Sequence, residues 1–189
     1  LKMFFYIKLH KNRKQIFDSR TDAVKVIGLA IQQSTNPPKL WINAASATIY
    51  PHATDTPRDE GFTAFADDFS VQVCKLWEKT FNEQRTPFTR KVALRMAITL
   101  GTGGVMIPYF NLLKFGLGGR QGSGKQMYSW VHITDICRMI AWFAEHKELE
   151  GTYNCVSPNA VTNKEFMKTL QDATGNKIAL PASKWMLQI

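Results

Sequence analysis

The run Leu40-Trp41-Ile42-Asn43-Ala44-Ala45-Ser46-Ala47-Thr48-Ile49-Tyr50-Pro51 constrains the fold more than any other part of the chain. It follows a Pro37-Pro38 break, which stops a pattern in which Ala23, Val24, Ile27, Ala30 and Ile31 recur at helical spacing. An apolar run after a helix, ending in small residues, predicts a buried parallel strand over residues 39–45. Ligands of open α/β sheets bind beyond the carboxyl ends of the strands. Small residues there let a flat ring approach the backbone, and Ser46 offers a hydroxyl at its edge. An ordinary core strand closed by a capping serine accounts for the same residues.

The rest of the chain alternates helix and strand. Asp18-Ser19-Arg20 is expected to open the first helix. A polar loop covers 51–60, and Phe69, Val73, Leu76, Trp77 and Thr80 mark the inner face of a helix over about 66–84. Lys91 to Met96 reads as the next strand. Gly101 to Gly104 form a turn, and 105–115 a helix. Five glycines in the nine residues 116–124 make a loop. A short strand over 127–131 follows, then a helix capped by Thr134-Asp135 through Met139, Ile140 and Phe143. A strand over 152–156 and a last helix, capped by Asn163 and ended by Gly175, complete the series. Such alternation argues for a parallel sheet.

At 189 residues, with 44% hydrophobic and 21% charged residues, one domain with a real core is expected. The net charge is +9, but outside Lys8, Lys11, Arg13 and Lys14 the charges are dispersed. With no nucleic-acid motif beside them, they point to a solvated face or to attraction of anionic nucleotides. No apolar run approaches the ~20 residues of a membrane span. The apolar and basic start, Leu1 to Leu9, has no small-residue cleavage site after it. Cys74, Cys137 and Cys155 show no metal spacing and read as reduced thiols, so a cytoplasmic protein without metal, membrane or nucleic-acid partner is expected.

Several blocks coincide in order: Pro37-Pro38-Lys39 before Ala44-Ala45-Ser46-Ala47, Cys74-Lys75-Leu76-Trp77-Glu78, and Leu94-Arg95-Met96-Ala97-Ile98-Thr99-Leu100-Gly101. Then come Phe115-Gly116-Leu117-Gly118-Gly119, Gly122-Ser123-Gly124-Lys125-Gln126, Trp130-Val131-His132-Ile133-Thr134-Asp135, Asn154-Cys155-Val156-Ser157-Pro158 and Asn163-Lys164-Glu165-Phe166. Over about residues 11–183 this resembles an atypical branch of the extended short-chain dehydrogenase/reductases, the NAD-dependent epimerase/dehydratase-like "epimerase family" proteins. The resemblance implies an α/β, Rossmann-type parallel sheet with flanking helices. It implies one partial domain over 1–189, with 1–10 unmatched and about 102–130 and 157–189 on the substrate side. Two departures stand out. No Gly-x-x-Gly-x-x-Gly turn precedes the first family block, so the chain resembles a fragment without its first strands and without the carboxyl-terminal extension. The family's Tyr-x-x-x-Lys dyad, which moves a proton and holds the ribose, falls here on Ser70 and Cys74.

The resemblance implies an NADP (or NAD) cofactor held by Gln15, Arg20, Ala44, Ala45, Ser46, Met96, Ala97, Ile98 and Thr99. Ser46 is the expected catalytic contact and Tyr50 a displaced acid or substrate contact. Gly122, Gly124, Gln126 and Trp130 are expected to face a small-molecule substrate, a nucleotide sugar or other carbinol. Arg20 also reads as a partner in a salt bridge at the helix start, Tyr50 as a loop aromatic, and Ser70 and Cys74 as helix-face packing. His132 with Asp135 suggests a relay, against a cap and a structural histidine. Two functions follow: hydride transfer by the intact parent, or nucleotide binding without turnover after loss of the dyad. The missing strands also predict self-association through an exposed sheet edge.

Overall fold

The computed structural model describes residues 10–54 and 56–182. The expectations for residues 1–9, and for the chain beyond 182, lie outside these. Helix α1 spans His10–Gln33, β1 Leu40–Ser46, a 3-10 turn Ala47–Ile49, α2 Phe69–Asn82 and β2 Arg90–Met96. Then follow β3 Ile98–Leu100, α3 Met106–Lys114, β4 Met127–Tyr128, β5 Trp130–His132, α4 Ile133–Glu145, β6 Gly151–Cys155, β7 Val161–Thr162 and α5 Asn163–Thr174. The chain forms two compact units. The first holds the residues up to Pro51, Arg58–Met96 and Arg138–Cys155; the second holds His52–Pro57, Ala97–Cys137 and the residues from Val156 on.

The first unit carries a parallel sheet of order β1-β2-β6. Its register pairs Ala44 with Leu94, Ala45 with Arg95 and Ser46 with Met96. On β6 it pairs Arg95 with Asn154 and Met96 with Cys155. Side chains alternate across the pleat, so Trp41, Ala45 and Ala93 meet Val24 and Ile31 of α1 and Phe81 of α2 in one apolar cluster. Trp41 and Phe81 stack edge to face at 4.8 Å. Among the described residues the outer edge of β1 has no partner strand.

Helix α1 starts eight residues before the expected Asp18. Neither glycine nor proline interrupts Lys11 to Gln15, and Asp18 is paired with Lys14 at 2.7 Å along the helix instead of capping it. The inner face is also narrower than the spacing suggests: Thr21, Val24 and Ile31 are buried, while Ala23, Ile27 and Ala30 are exposed. In α2 the buried face is Val71, Val73, Cys74, Glu78, Thr80 and Phe81, and Leu76 is exposed. Apolarity alone misplaces this face, because one of its members is a paired glutamate.

In the second unit β3 runs parallel to β5, and β4 pairs antiparallel with β7. The expected single strand over 127–131 is therefore two strands in different sheets. It breaks at Ser129, whose carbonyl accepts from the Ile98 amide at 3.1 Å. Two caps differ from expectation. His132 Nδ1 accepts from the Thr134 amide at 3.3 Å, so the histidine closes the start of α4, and Thr134 and Asp135 lie in its first turn. Thr162, not Asn163, caps α5 in a reciprocal box with Glu165. Gly175 ends that helix at φ 68°. Among the described residues no helix is long and apolar enough to cross a membrane.

Candidate functional site

At the carboxyl end of β1 the chain leaves the sheet through the 3-10 turn, and Ser46 is its cap. Ser46 Oγ accepts from the Thr48 amide at 3.2 Å and donates to Thr48 Oγ1 at 3.0 Å. The Cys74 thiol on α2 is buried and interacts with Ser46. Burial pushes that thiol's pKa up; the Ser46 contact and the nearby Arg20 cation pull it back only in part, against Glu78 and Asp68. Cys74 is therefore a protonated, buried thiol and a poor nucleophile. Arg20 is exposed and seats its guanidinium 5.0 Å from the centre of the Trp77 ring. It lies within α1 and not at a helix start, because α1 runs on from His10. Gln15 is exposed on the same helix. The structure thus gathers Ser46, Cys74 and Arg20, with Ala44, Ala45 and Met96 alongside Ser46 in the sheet.

Below this end of the sheet lies a polar network that sequence reasoning missed. Arg95 faces α2 and binds Glu78 through two bonds, Nε to Oε1 at 2.9 Å and Nη2 to Oε2 at 2.8 Å. Its Nη1 donates to the Tyr50 hydroxyl at 2.7 Å, and that hydroxyl donates to Asn154 Oδ1 at 2.8 Å. The Glu78 hydrogen bonds hold the Arg95 pKa above its ordinary value despite burial. Tyr50, proposed from sequence as an acid or substrate contact, therefore has its hydroxyl engaged on both sides by the protein. Two signals were available. Arg95 is a charge set directly after the apolar run Val92-Ala93-Leu94, and Glu78 follows Val71 and Cys74 at helical spacing on the buried face.

In the second unit, Ala97, Ile98 and Thr99, the Gly101–Gly104 turn, Val105 and Ile133 border an open depression of about 520 Å³. Thr99 Oγ1 turns back to the Ala97 carbonyl at 3.4 Å. Of the expected substrate contacts, Gln126 Nε2 donates to the Gln121 carbonyl at 2.9 Å and Trp130 Nε1 to the Asn159 carbonyl at 2.9 Å. Gly124 is buried, with the side chains of Lys164 and Arg120 against it. A buried Asn163 ties this region together: its Oδ1 accepts from the Gln121 amide at 2.7 Å and its Nδ2 donates to Tyr128 at 3.1 Å. Tyr109 meets Tyr128 at 3.4 Å, and burial raises its pKa.

A dinucleotide would need a glycine turn at a helix N-terminus for its pyrophosphate. Gly116, Gly119 and Gly122 have that spacing, but they follow α3 and lead to a strand. A Cβ on Gly119 would stand 2.6 Å from the Ala179 carbonyl oxygen, so the close approach is taken by the chain's own backbone. These glycines do not fit a pyrophosphate.

Comparison with known proteins gives the lineage. No family model matches the chain. It is 30% identical over 179 residues to the human epimerase family protein SDR39U1, covering 93% of this chain and 60% of that protein. It is also 30% identical over 181 residues to the epimerase family protein YfhF of Bacillus subtilis, covering 94% and 58%. The relatives it matches are epimerase family proteins, and its structural neighbours are members of the extended short-chain dehydrogenase/reductases. Its fold superposes on a crystal structure of human SDR39U1 isoform 2 with NADPH at a TM-score of 0.88, with 28% identity, covering 96% of this chain and 61% of that one. A UDP-N-acetylglucosamine 4-epimerase from Methanobrevibacter ruminantium, at 16% identity and a TM-score of 0.72, shares the fold. The chain spans about 60% of the length of the curated relatives it matches.

Proposed function

We propose that the whole protein is an NADP-binding oxidoreductase of the sugar-nucleotide-epimerase kind, acting on a nucleotide sugar or another carbinol. The observation that carries this reading is Ser46 at the carboxyl end of β1, directly after Ala44 and Ala45 and in register with Met96. The NADPH bound by a relative of TM-score 0.88 supports it. The cofactor, when bound, supplies hydride chemistry. Ser46 donates a hydrogen bond to Thr48 Oγ1 at 3.0 Å, a contact that a substrate oxygen would replace. Arg20, 5.0 Å from the Trp77 ring centre and exposed, offers guanidinium N–H groups to a cofactor phosphate. In the first unit, Ala44, Ala45 and Met96 supply backbone beside Ser46 for the nicotinamide end; in the second, Ala97, Ile98 and Thr99 border an open depression of their own.

The second reading, nucleotide binding without turnover, draws on two observations. The dyad positions hold Ser70 and Cys74, and the Cys74 thiol is buried and protonated. The Tyr50 hydroxyl is engaged by Arg95 and Asn154. Two variants of the whole protein test the proposal. Arg20→Ala should weaken NADPH binding by about 1.5–3 kcal/mol, measured by titration calorimetry, as expected for loss of a charge-assisted phosphate contact. Ser46→Ala should leave that affinity nearly unchanged and depress turnover. An Arg20→Ala protein that binds NADPH as tightly as the parent would refute the cofactor site. NADPH binding that no carbinol substrate ever turns over would favour the second reading. Among the described residues the edge of β1 has no partner strand, which supports self-association of the 189-residue chain. A single monomer peak in light scattering at all concentrations would count against it.

A further inference from the structure

We propose that residues 58–66 form a latched flap over Cys74, the neighbour of Ser46, and that this flap opens as a unit while the sheet stays closed. Within the flap the bonds are local: the Phe62 amide donates to the Asp59 carbonyl at 3.2 Å, the Phe65 amide to Thr63 at 2.9 Å, and the Gly61 amide to Asp59 Oδ1 at 3.1 Å. It is a folded loop with no ladder to the sheet. Its hold on the sheet converges on Asn154, whose backbone amide donates to Glu60 Oε1 at 2.6 Å and whose Nδ2 reaches the Arg58 carbonyl at 3.4 Å. The Oδ1 of the same residue accepts from Tyr50, which Arg95 holds in turn. One asparagine on β6 thus joins the flap, the turn after β1 and the Arg95–Glu78 pair.

The inner surface of the flap is aromatic. Phe62, Phe65 and Tyr50 form a triangle with ring centres 6.0–6.2 Å apart. Arg95 lies 5.2 Å from the Tyr50 ring centre and 5.6 Å from that of Phe65. Phe65 and Ala66 pack on the cluster of Ile49, Val71 and Cys74. These contacts leave Cys74 only 5% exposed although it sits at the end of the sheet, next to the half-exposed Ser46. The thiol can be reached only when something moves, and the loop that covers it is tied to the sheet at Asn154. Segments held by a few side-chain bonds open locally, below the free energy of global unfolding. Glu60, the outermost member of the latch, is exposed, so the latch can be released from the solvent side without disturbing the core.

The three cysteines give the test. Cys137 is exposed, Cys74 lies under the flap, and Cys155 is fully buried on β6 against Met139. Alkylation by iodoacetamide under native conditions, read by peptide mass spectrometry, follows each separately. Glu60→Ala removes the surface half of the latch, and Tyr50→Phe removes the bridge between Arg95 and Asn154 while keeping the ring. Either variant should raise the Cys74 rate about tenfold, the size expected for one charge-assisted hydrogen bond, with Cys155 unchanged. A selective rise at Cys74 in either variant supports the flap. No rise in both, or a parallel rise at Cys74 and Cys155, overturns it, since the thiol would then be reached through opening of the sheet.

Discussion

Replacing Glu78 with alanine should cost the first unit about 3–5 kcal/mol, the penalty for leaving a buried charge without its partner. The side chains of Arg95 and Glu78 are only 8% and 10% exposed, and they share two hydrogen bonds of 2.8–2.9 Å. After the change, the guanidinium keeps the Tyr50 hydroxyl but loses both carboxylate bonds and cannot shed its proton to escape. Domains of this size are held by about 5–15 kcal/mol, so the loss is a large share of the whole. The pair itself contributes far less than its rupture costs, because desolvation offsets most of the attraction. Arg95→Met combined with Glu78→Leu should therefore be less destabilising than Glu78→Ala alone. Urea unfolding followed by tryptophan fluorescence measures both, with buried Trp41 as a core reporter. A Glu78→Ala cost below about 1 kcal/mol, the range of an exposed pair such as Lys14–Asp18, would refute the reasoning. So would a double variant whose cost equals the sum of the single ones.

Gly119→Ala should destabilise the second unit by about 1–3 kcal/mol, since the new methyl meets the Ala179 and Leu180 backbone at 2.6–2.7 Å and neither can yield as a side chain would. Limited proteolysis should then cut residues 178–182 faster than in the parent. Cys74→Ala should change thermal stability only slightly and leave cofactor affinity alone; loss of activity in that variant with Ser46→Ala unimpaired would replace the serine by a thiol mechanism. Thr162→Ala should cost α5 about 1 kcal/mol in urea unfolding, as other lost caps do. The Glu165 carboxyl is held below its ordinary pKa, first by the Thr162 amide and then by its hydroxyl. Its contribution is present above the unfolded carboxylate value and fades as pH falls through the folded one, so Glu165→Gln should flatten the acid limb of helix fraying seen by hydrogen exchange.

The sequence by itself determined the helices, the three strands of the parallel sheet and the position of Ser46 at the end of β1. Those depend on local patterns: a proline break, an apolar run ending in small residues, and helical spacing on either side. It also carried the lineage, since the blocks from Ala44-Ala45-Ser46 to Asn163-Lys164-Glu165 keep their order. Tertiary structure alone decided which groups those elements bring together. Asn154 and Glu60 lie 94 positions apart, and no local pattern signals their contact. The inner face of α2 turns on a buried ion pair that apolarity does not score, so Leu76 points outward and Glu78 inward. The start of α1 was misread for a related reason. Asp18 has the chemistry of a cap, but a lysine four residues earlier pairs with it, and a helix begins where its backbone loses partners and not where a capping residue happens to stand. His132 took the cap that Thr134 and Asp135 were expected to provide, because only the fold sets which side chain reaches the free amide.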